Sequence, residues 1–300
     1  MGTHRTRTAR QQQRGDGSAN KRRNPRSVIY LVLALLVFLS PVVLTHWKNV
    51  EQHKIAESYS RNVQKLHDGQ RNAILERAHE YNRNLPQVGA VDPWVNGVDI
   101  NSPGYQNYRS QLDVSGTMAR LRVPAVGIDL PVYHGTQQDV LAHGVGHLYG
   151  TALPVGGEGT HTVLTGHTGL ATLTMFDNLT HMKDGDIFTV EVMGEQRAYK
   201  VDQIKVVLPQ DVQAIKAEPG KDYATLITCT PYGINSHRLL VRGERTELPA
   251  HIQDQRYKSP WQPWMVFAVG ISIFVILYLL WRWWRSRKRK KQQEQQTQQR

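Results

Sequence analysis

The sequence predicts a mainly β domain, a closed or nearly closed antiparallel barrel, held between two apolar segments. Short β-like runs recur from Thr117 onward, and turn sequences such as LPVGGEG (153–159) and KDGD (183–186) separate them. Long uncharged runs near both ends of the chain predict the flanking segments. The predicted strands are 118–123, 128–133, 161–165, 187–192, 197–208, 225–229 and 238–242.

The two apolar runs, within residues 28–45 and 264–284, are predicted to span a membrane. The first reads VIYLVLALLVFLSPVVL, and the second reads WMVFAVGISIFVILYLLW. Tryptophans cluster at both ends of the second run, where amphipathic rings favour the headgroup region. No small-x-small cleavage pattern follows the first run, so an uncleaved anchor is favoured over a signal peptide.

The positive charge of the chain is concentrated at its two ends. The formal net charge is +12, but residues 1–27 and 282–300 each have a net charge of +7, which leaves −2 for the rest. By the positive-inside rule, both termini are expected in the cytoplasm and the domain between the spans outside it. The basic tails are then explained as topology signals and contacts with anionic lipids, so we expect no nucleic-acid partner.

Between the spans, a helical segment and a long loop are expected before the barrel. Apolar residues recur at roughly helical spacing from Val50 and again after Gly69, which predicts two helices. Glycines and prolines then interrupt any regular element, and loops of such length are usually functional covers or disordered linkers. A short helix is also expected near 172–182. The expected organisation is a basic tail (1–27), a membrane helix (28–45), helices (46–83), a loop (84–116), the barrel (117–248), a linker (249–263), a second membrane helix (264–284) and a tail (285–300).

Cys229, the only cysteine in the sequence, is the candidate nucleophile. A single cysteine is more often a small buried hydrophobe, but its neighbours favour chemistry here. His167 ends another predicted strand and would stabilise the thiolate and protonate a leaving amine. Arg238 begins the strand after the TPYGINSH loop, and its guanidinium would hold a substrate carbonyl and its developing oxyanion. If the strand that ends at Cys229 pairs with the strand that begins at Arg238, these two residues meet at the mouth of the hairpin.

These segments resemble the sortases, and among them the class C, or pilin-polymerising, sortases. TLITC (225–229) followed by Arg238 is similar to the TLxTC signature and its later arginine, and TGH (165–167) is similar to the family's histidine element. A second membrane span near the C-terminus is also typical of class C. Three loop residues resemble the class C lid, in which the acid meets the active-site arginine and the aromatic ring covers the thiol: Asp92, Pro93 and Trp94.

The resemblance implies a sortase-type closed barrel of about eight strands and a transpeptidation in two half-reactions. Cys229 would attack the Thr–Gly bond of an LPxTG-type sorting signal and form a thioester, which a lysine amine of another pilin subunit would resolve. His167 would act as general acid and then base, and Arg238 would position the signal and stabilise the oxyanion. Thr228 and the backbone of Thr230 are weaker candidates for the oxyanion.

The resemblance also implies where the protein acts and with what. The expected partners are pilin subunits that carry LPxTG-type signals and acceptor lysines, the cell membrane and, as a further acceptor, a peptidoglycan precursor. The expected location is the plasma membrane of a Gram-positive-type bacterium, with the catalytic domain on its outer face. We expect neither a metal nor another cofactor.

Three other functions share some of these features. A housekeeping sortase, which transfers the acyl group to a peptidoglycan precursor, would use the same three residues, but the lid residues and the second span favour the polymerase. A surface protein that is itself anchored needs LPxTG before its C-terminal span, where this sequence has LPAH (248–251). A papain-like hydrolase would need that family's signature around Cys229 and a later histidine in a matching context, and the sequence has neither.

Overall fold

The computed structural model describes residues 25–85, 98–211, 213–253 and 257–298. Eight strands within these residues close into a barrel, which confirms the predicted fold class. The strands are β1 Ala119–Val123, β2 Ile128–His134, β3 Val145–His147, β4 Thr160–Thr165, β5 Ile187–Val192, β6 Glu195–Val207, β7 Asp222–Thr230 and β8 His237–Thr246. Their order around the barrel is β1-β2-β3-β4-β7-β8-β6-β5, and β5 pairs with β1 to close it.

The barrel is mixed, so the antiparallel arrangement predicted from the sequence is wrong in two places. β2 pairs with β3 and β4 pairs with β7 in parallel, whereas the other neighbours are antiparallel. Both parallel pairs need crossover connections: helix α4 (Gln138–Leu141) joins β2 to β3, and the β5–β6 hairpin lies between β4 and β7. The predicted strands also lack β3, because three residues are too few to show an alternating pattern.

Apolar side chains fill the barrel interior. In β1, Ala119, Leu121 and Val123 are buried, while the arginines between them are only partly buried on the opposite face. Gly243 of β8 has no room for a side chain, because the rings and side chains of β5 and β6 fill the space beside it. An added Cβ there would lie 2.8 Å from the Phe188 ring, closer than real Cβ atoms approach a ring.

Among the described residues, three helices precede the barrel: α1 (Pro25–Gln64), α2 (Asp68–Arg83) and α3 (Pro103–Arg109). α1 runs unbroken from the apolar segment into the polar one, and Tyr59 and Val63 near its end enter the barrel core. α3 differs from the expectation of an irregular loop. It forms because Ser102 caps it by accepting a hydrogen bond from Tyr105 N, Pro103 occupies the first turn, and its tyrosines are buried. The three residues of the predicted lid lie outside the described residues.

In the part of the chain that the structure describes, two helices are long and apolar enough to cross a membrane. Residues 28–64 of α1 reach a mean hydropathy of 2.7 in their most apolar stretch, and the Pro263–Arg285 part of α6 (Pro263–Gln298) reaches 2.4. The short helix α5 (Ala250–Gln253) precedes α6. The chain divides into two compact units: α1 as far as Phe38 belongs to the first, and Leu39 onward belongs to the second. Both apolar helices are compatible with membrane anchoring.

The polar end of α1 is fastened to the barrel by hydrogen bonds and ion pairs. The buried Tyr59 hydroxyl donates to Met118 O and accepts from Met193 N, both at 3.0 Å. Asp129 of β2, which is only 3% exposed, accepts two hydrogen bonds of 2.7 Å from the Arg120 guanidinium, and His53 Nδ1 of α1 lies 3.0 Å from its carboxylate. These contacts fix where α1 meets the barrel.

Tyr59→Phe is expected to lower the free energy of unfolding by about 1–3 kcal/mol, because a buried carbonyl and a buried N–H both lose their partner. Denaturant unfolding of the full chain in detergent micelles measures this. Tyr149→Phe is the control, since the Tyr149 hydroxyl forms no hydrogen bond with any described residue. A loss for Tyr59→Phe no larger than for the control would contradict the fastening role.

Candidate active site

Cys229 and Arg238 are direct neighbours across the β7–β8 hairpin. They are register partners, and opposite residues of an antiparallel pair project from the same face. Both are nearly buried, with exposed fractions of 9% for Cys229 and 8% for Arg238. Nη1 of Arg238 donates to Asn235 O at 3.4 Å and to His237 O at 3.3 Å, so the hairpin loop helps to hold the guanidinium. A cation is thereby held beside the thiol.

His167 is brought to the same place by the parallel pair of β4 and β7. The register runs to Thr165 opposite Ile227, and Gly166 N then donates to Ile227 O at 3.0 Å. Continued by two residues beyond the end of β4, this register places His167 opposite Cys229. Three strand ends therefore bring the histidine, the thiol and the guanidinium to one end of the barrel, although β4 and β8 are not neighbours.

Burial determines the protonation state of His167. Burial lowers the pKa of this imidazole below its ordinary value, so the neutral form prevails at pH 7. Its Nε2 is enclosed and has no hydrogen-bond partner among the described residues. A neutral imidazole with an uncommitted ring nitrogen is able to exchange a proton with a nearby group.

Two other buried histidines differ from His167 because both of their ring nitrogens are engaged. His147 contacts the Tyr108 hydroxyl at 2.9 Å and Ala152 O at 2.8 Å. His161 contacts Lys216 O at 2.9 Å and the Thr225 hydroxyl at 2.6 Å. Burial lowers the pKa of each to about 4, so both are neutral structural groups.

Thr228 connects β7 to the segment that carries His167, residues 166–176 after β4, called here the histidine loop. Its fully buried hydroxyl donates to Gly166 O at 2.7 Å and accepts a hydrogen bond from the Thr168 hydroxyl. Because side chains alternate along a strand, Thr228 projects from the opposite face to Cys229. The proton of this hydroxyl is committed to Gly166, so the contacts made by Thr228 position the residues on either side of His167. Thr230, the other weak oxyanion candidate, pairs with His237 one step beyond Cys229.

Contacts with Phe176 and Asp177 hold the rest of the histidine loop in place. Phe176 N donates to His167 O at 3.1 Å, and an added Cβ on Gly166 would lie 2.9 Å from the Phe176 ring, so only glycine fits beside the histidine. Asp177 begins a 3₁₀ turn (Asp177–His181) where a short helix is predicted, and its carboxylate accepts from Gly169 N at 2.8 Å. Neither Thr168 nor Asp177 belongs to a motif, so sequence reasoning missed both.

Comparison with known proteins finds one matching family model and several similar solved structures. The family model described as Sortase domain matches residues 121–246. The chain is 48% identical to the structure of sortase C-1 from Actinomyces oris, covering 60% of this chain and 99% of that chain with a TM-score of 0.59. It is 41% identical to the pilus-related sortase C of Group B Streptococcus, covering 64% of this chain and 96% of that chain with a TM-score of 0.59.

A third similar structure is the sortase A from Corynebacterium diphtheriae. It is 44% identical, with 69% of this chain and 96% of that chain covered and a TM-score of 0.61. The same protein has also been solved as a lid mutant. All three comparisons cover nearly the whole of the other chain, so the similarity extends beyond the barrel motifs.

Thr228→Val is expected to loosen the histidine loop, because it leaves Gly166 O and the Thr168 hydroxyl without their buried partner. Amide hydrogen exchange of residues 166–168, followed by mass spectrometry, should be faster, and the free energy of unfolding should fall by about 1–3 kcal/mol. Thr228→Ser keeps the hydroxyl and should retain slow exchange. Equal exchange in the two variants would show that the hydroxyl does not hold the loop.

Proposed function

This chain belongs to the sortase family of cysteine transpeptidases, with class C sortases among its similar structures, and from that premise we propose that it polymerises pilins. It cleaves an LPxTG-type sorting signal between Thr and Gly and joins the freed carbonyl to a lysine of another pilin subunit. The observation that carries the transpeptidase chemistry is the register pairing of Cys229 with Arg238, with His167 at the adjoining strand end. The similarity to a pilus-related sortase C supports pilins as the substrates.

The first half-reaction forms a thioester. Neutral His167 accepts the thiol proton of Cys229, and the thiolate attacks the threonine carbonyl carbon of the signal. The negative charge that develops on the carbonyl oxygen is stabilised by the Arg238 guanidinium, with the Thr230 backbone as a weaker candidate donor. The imidazolium of His167 then gives its proton to the glycine nitrogen as the C–N bond breaks.

The second half-reaction resolves the thioester. A neutral lysine amine attacks the thioester carbon while His167 accepts a proton from it. The C–S bond then breaks, and the imidazolium of His167 gives that proton to the departing thiolate. The products are an isopeptide bond and the restored thiol. The small exposed fractions of Cys229 and Arg238 favour this chemistry, because charge interactions strengthen when water is excluded.

A lid controls access to the thiol in this proposal. In the proposed lid, Asp92 would meet Arg238 and Trp94 would cover Cys229 at rest, and Pro93 would stiffen the turn between them. The resemblance of this triplet to the class C lid supports the role, as does the similar protein that was solved as a lid mutant. The lid must move before a signal enters, which makes it a gating element rather than part of the chemistry.

The protein is proposed to act on the outer face of a Gram-positive-type plasma membrane, spanning it twice with both termini in the cytoplasm. The basic residues that flank both apolar segments support this orientation. Pilin subunits would then be joined where they emerge from the membrane.

The full chain in detergent micelles, incubated with an LPxTG peptide, is expected to form a thioester adduct on Cys229 that transfers to a peptide carrying a pilin-type lysine. Mass spectrometry follows both species. Cys229→Ala should abolish the adduct because the nucleophile is gone, and His167→Ala and Arg238→Ala should each lower its rate by at least roughly a hundredfold.

The same experiment separates the two sortase functions. Transfer to oligoglycine but not to lysine would favour anchoring to a peptidoglycan precursor over pilin polymerisation. A thioester in Cys229→Ala would refute the assignment of the nucleophile. No adduct in the wild type or in an open-lid variant would contradict sortase chemistry on this signal.

Trp94→Ala and Asp92→Ala are each expected to increase the rate at which iodoacetamide alkylates Cys229, because each removes one contact that keeps the lid closed. Time-resolved mass spectrometry of the intact chain measures the rate. Trp261→Ala, which removes an exposed tryptophan near the second apolar helix, should leave the rate unchanged. Labelling rates equal to the wild type in both lid variants would remove the lid role.

A further inference from the structure

A cavity of about 250 Å³ adjoins the two loops that flank the proposed active site. Leu170 and Tyr232 line it, and each lies three residues after a proposed catalytic residue, His167 or Cys229. The two loops approach each other at Gly169, where an added Cβ would lie 3.8 Å from the Tyr232 ring. The two chain segments that follow His167 and Cys229 therefore both contribute residues to the wall of this cavity.

Asp177 is the one charged residue among the described residues that line this cavity. One carboxylate oxygen accepts from Gly169 N, and the side chain forms no ion pair with any residue that the structure describes. Burial raises the pKa of Asp177 to about 6, so the group is still ionised at neutral pH and above. A partly buried anion without a counter-charge is unfavourable, and a cationic ligand would relieve that cost.

The rest of the wall suits an alkyl chain that ends in a hydrogen-bond donor. Leu170, Leu173 and the ring of Trp264 supply apolar surface. Thr45 is 3% exposed, and its hydroxyl has no hydrogen-bond partner among the described residues. At the edge of the cavity, Tyr232 of the β7–β8 loop is 63% exposed. Its ring offers apolar surface to the residues on either side of a ligand side chain that enters the cavity.

We propose that this cavity is the acceptor subsite, in which the Asp177 carboxylate binds the ammonium group of the incoming lysine side chain. The inference rests on the proposed function, because it names the group that binds the second substrate of that reaction. Asp177 acts on binding alone: the ammonium releases a proton to solvent before the neutral amine attacks. Formation of the thioester does not involve it.

Asp177→Asn tests the proposal, because the amide oxygen still accepts from Gly169 N while the charge is removed. The full chain in neutral detergent micelles is given an LPxTG peptide and, at pH 7.5, three nucleophiles: water, hydroxylamine and Nα-acetyl-lysine methylamide. The variant should raise the KM for the lysine derivative roughly fivefold, the factor expected for losing one ion pair. Hydrolysis and the reaction with uncharged hydroxylamine should stay within about twofold of the wild type, because neither needs a carboxylate.

Asp113→Asn is the matched control, because the Asp113 carboxylate also accepts from a glycine N–H at 2.8 Å, that of Gly116, in the turn before β1. It should change none of the three reactions. An unchanged KM for the lysine derivative in Asp177→Asn would overturn the proposal. An equal fall in all three reactions would overturn it as well, since Asp177 would then only hold the histidine loop.

Failure of the proposed function gives a different result. If neither the wild type nor Trp94→Ala cleaves the peptide, the subsite is tested by binding alone. Saturation-transfer NMR with Nα-acetyl-lysine methylamide should then detect binding to the wild type and weaker binding to Asp177→Asn. Equal binding to both proteins, or binding to neither, would overturn the subsite.

Discussion

The parallel pairing of β4 with β7 is the constraint on which the rest of the site depends. It puts His167, two residues after the end of β4, beside the C-terminal end of β7, while the antiparallel hairpin puts Arg238 on the other side of Cys229. Closure of the barrel fixes the register of all three strands. A slip by one residue would turn the thiol to the opposite face, so the site exists only because the whole sheet is in register.

Around that pairing, buried hydrogen bonds hold the histidine loop and connect it to the first helix. Thr228 binds the loop from β7, and Asn49 of α1 exchanges two hydrogen bonds, of 2.8 and 3.1 Å, with Thr174 of the same loop. α1 is itself fastened to the barrel through Tyr59 and Asp129. The helix that begins as an apolar segment therefore ends by supporting the loop that carries the histidine.

Unequal burial gives chemically similar side chains different roles. His147 and His161 have both ring nitrogens engaged and serve the core, whereas His167 keeps an enclosed nitrogen without a described partner. Among the carboxylates, Asp129 is matched by the Arg120 guanidinium, whereas Asp177 has only a backbone N–H as its described partner. In each pair, the group whose hydrogen bonding or charge is left incomplete among the described residues belongs to the chain segment that follows β4, or to the 3₁₀ turn after it.

The sequence by itself determined a closed or nearly closed barrel, the two apolar helices and the residues Cys229, His167 and Arg238 as candidates, because these depend on local periodicity, turn residues and motif spacing. Closure of the barrel was implied by the family resemblance. The tertiary structure alone decided the two parallel pairs, the three-residue strand β3 and the helix Pro103–Arg109 in a segment rich in glycine and proline. It also decided the commitment of the Thr228 hydroxyl and the cavity beside Asp177. These features arise from contacts between residues far apart in the chain and from burial of individual atoms, and neither leaves a periodic trace in the sequence.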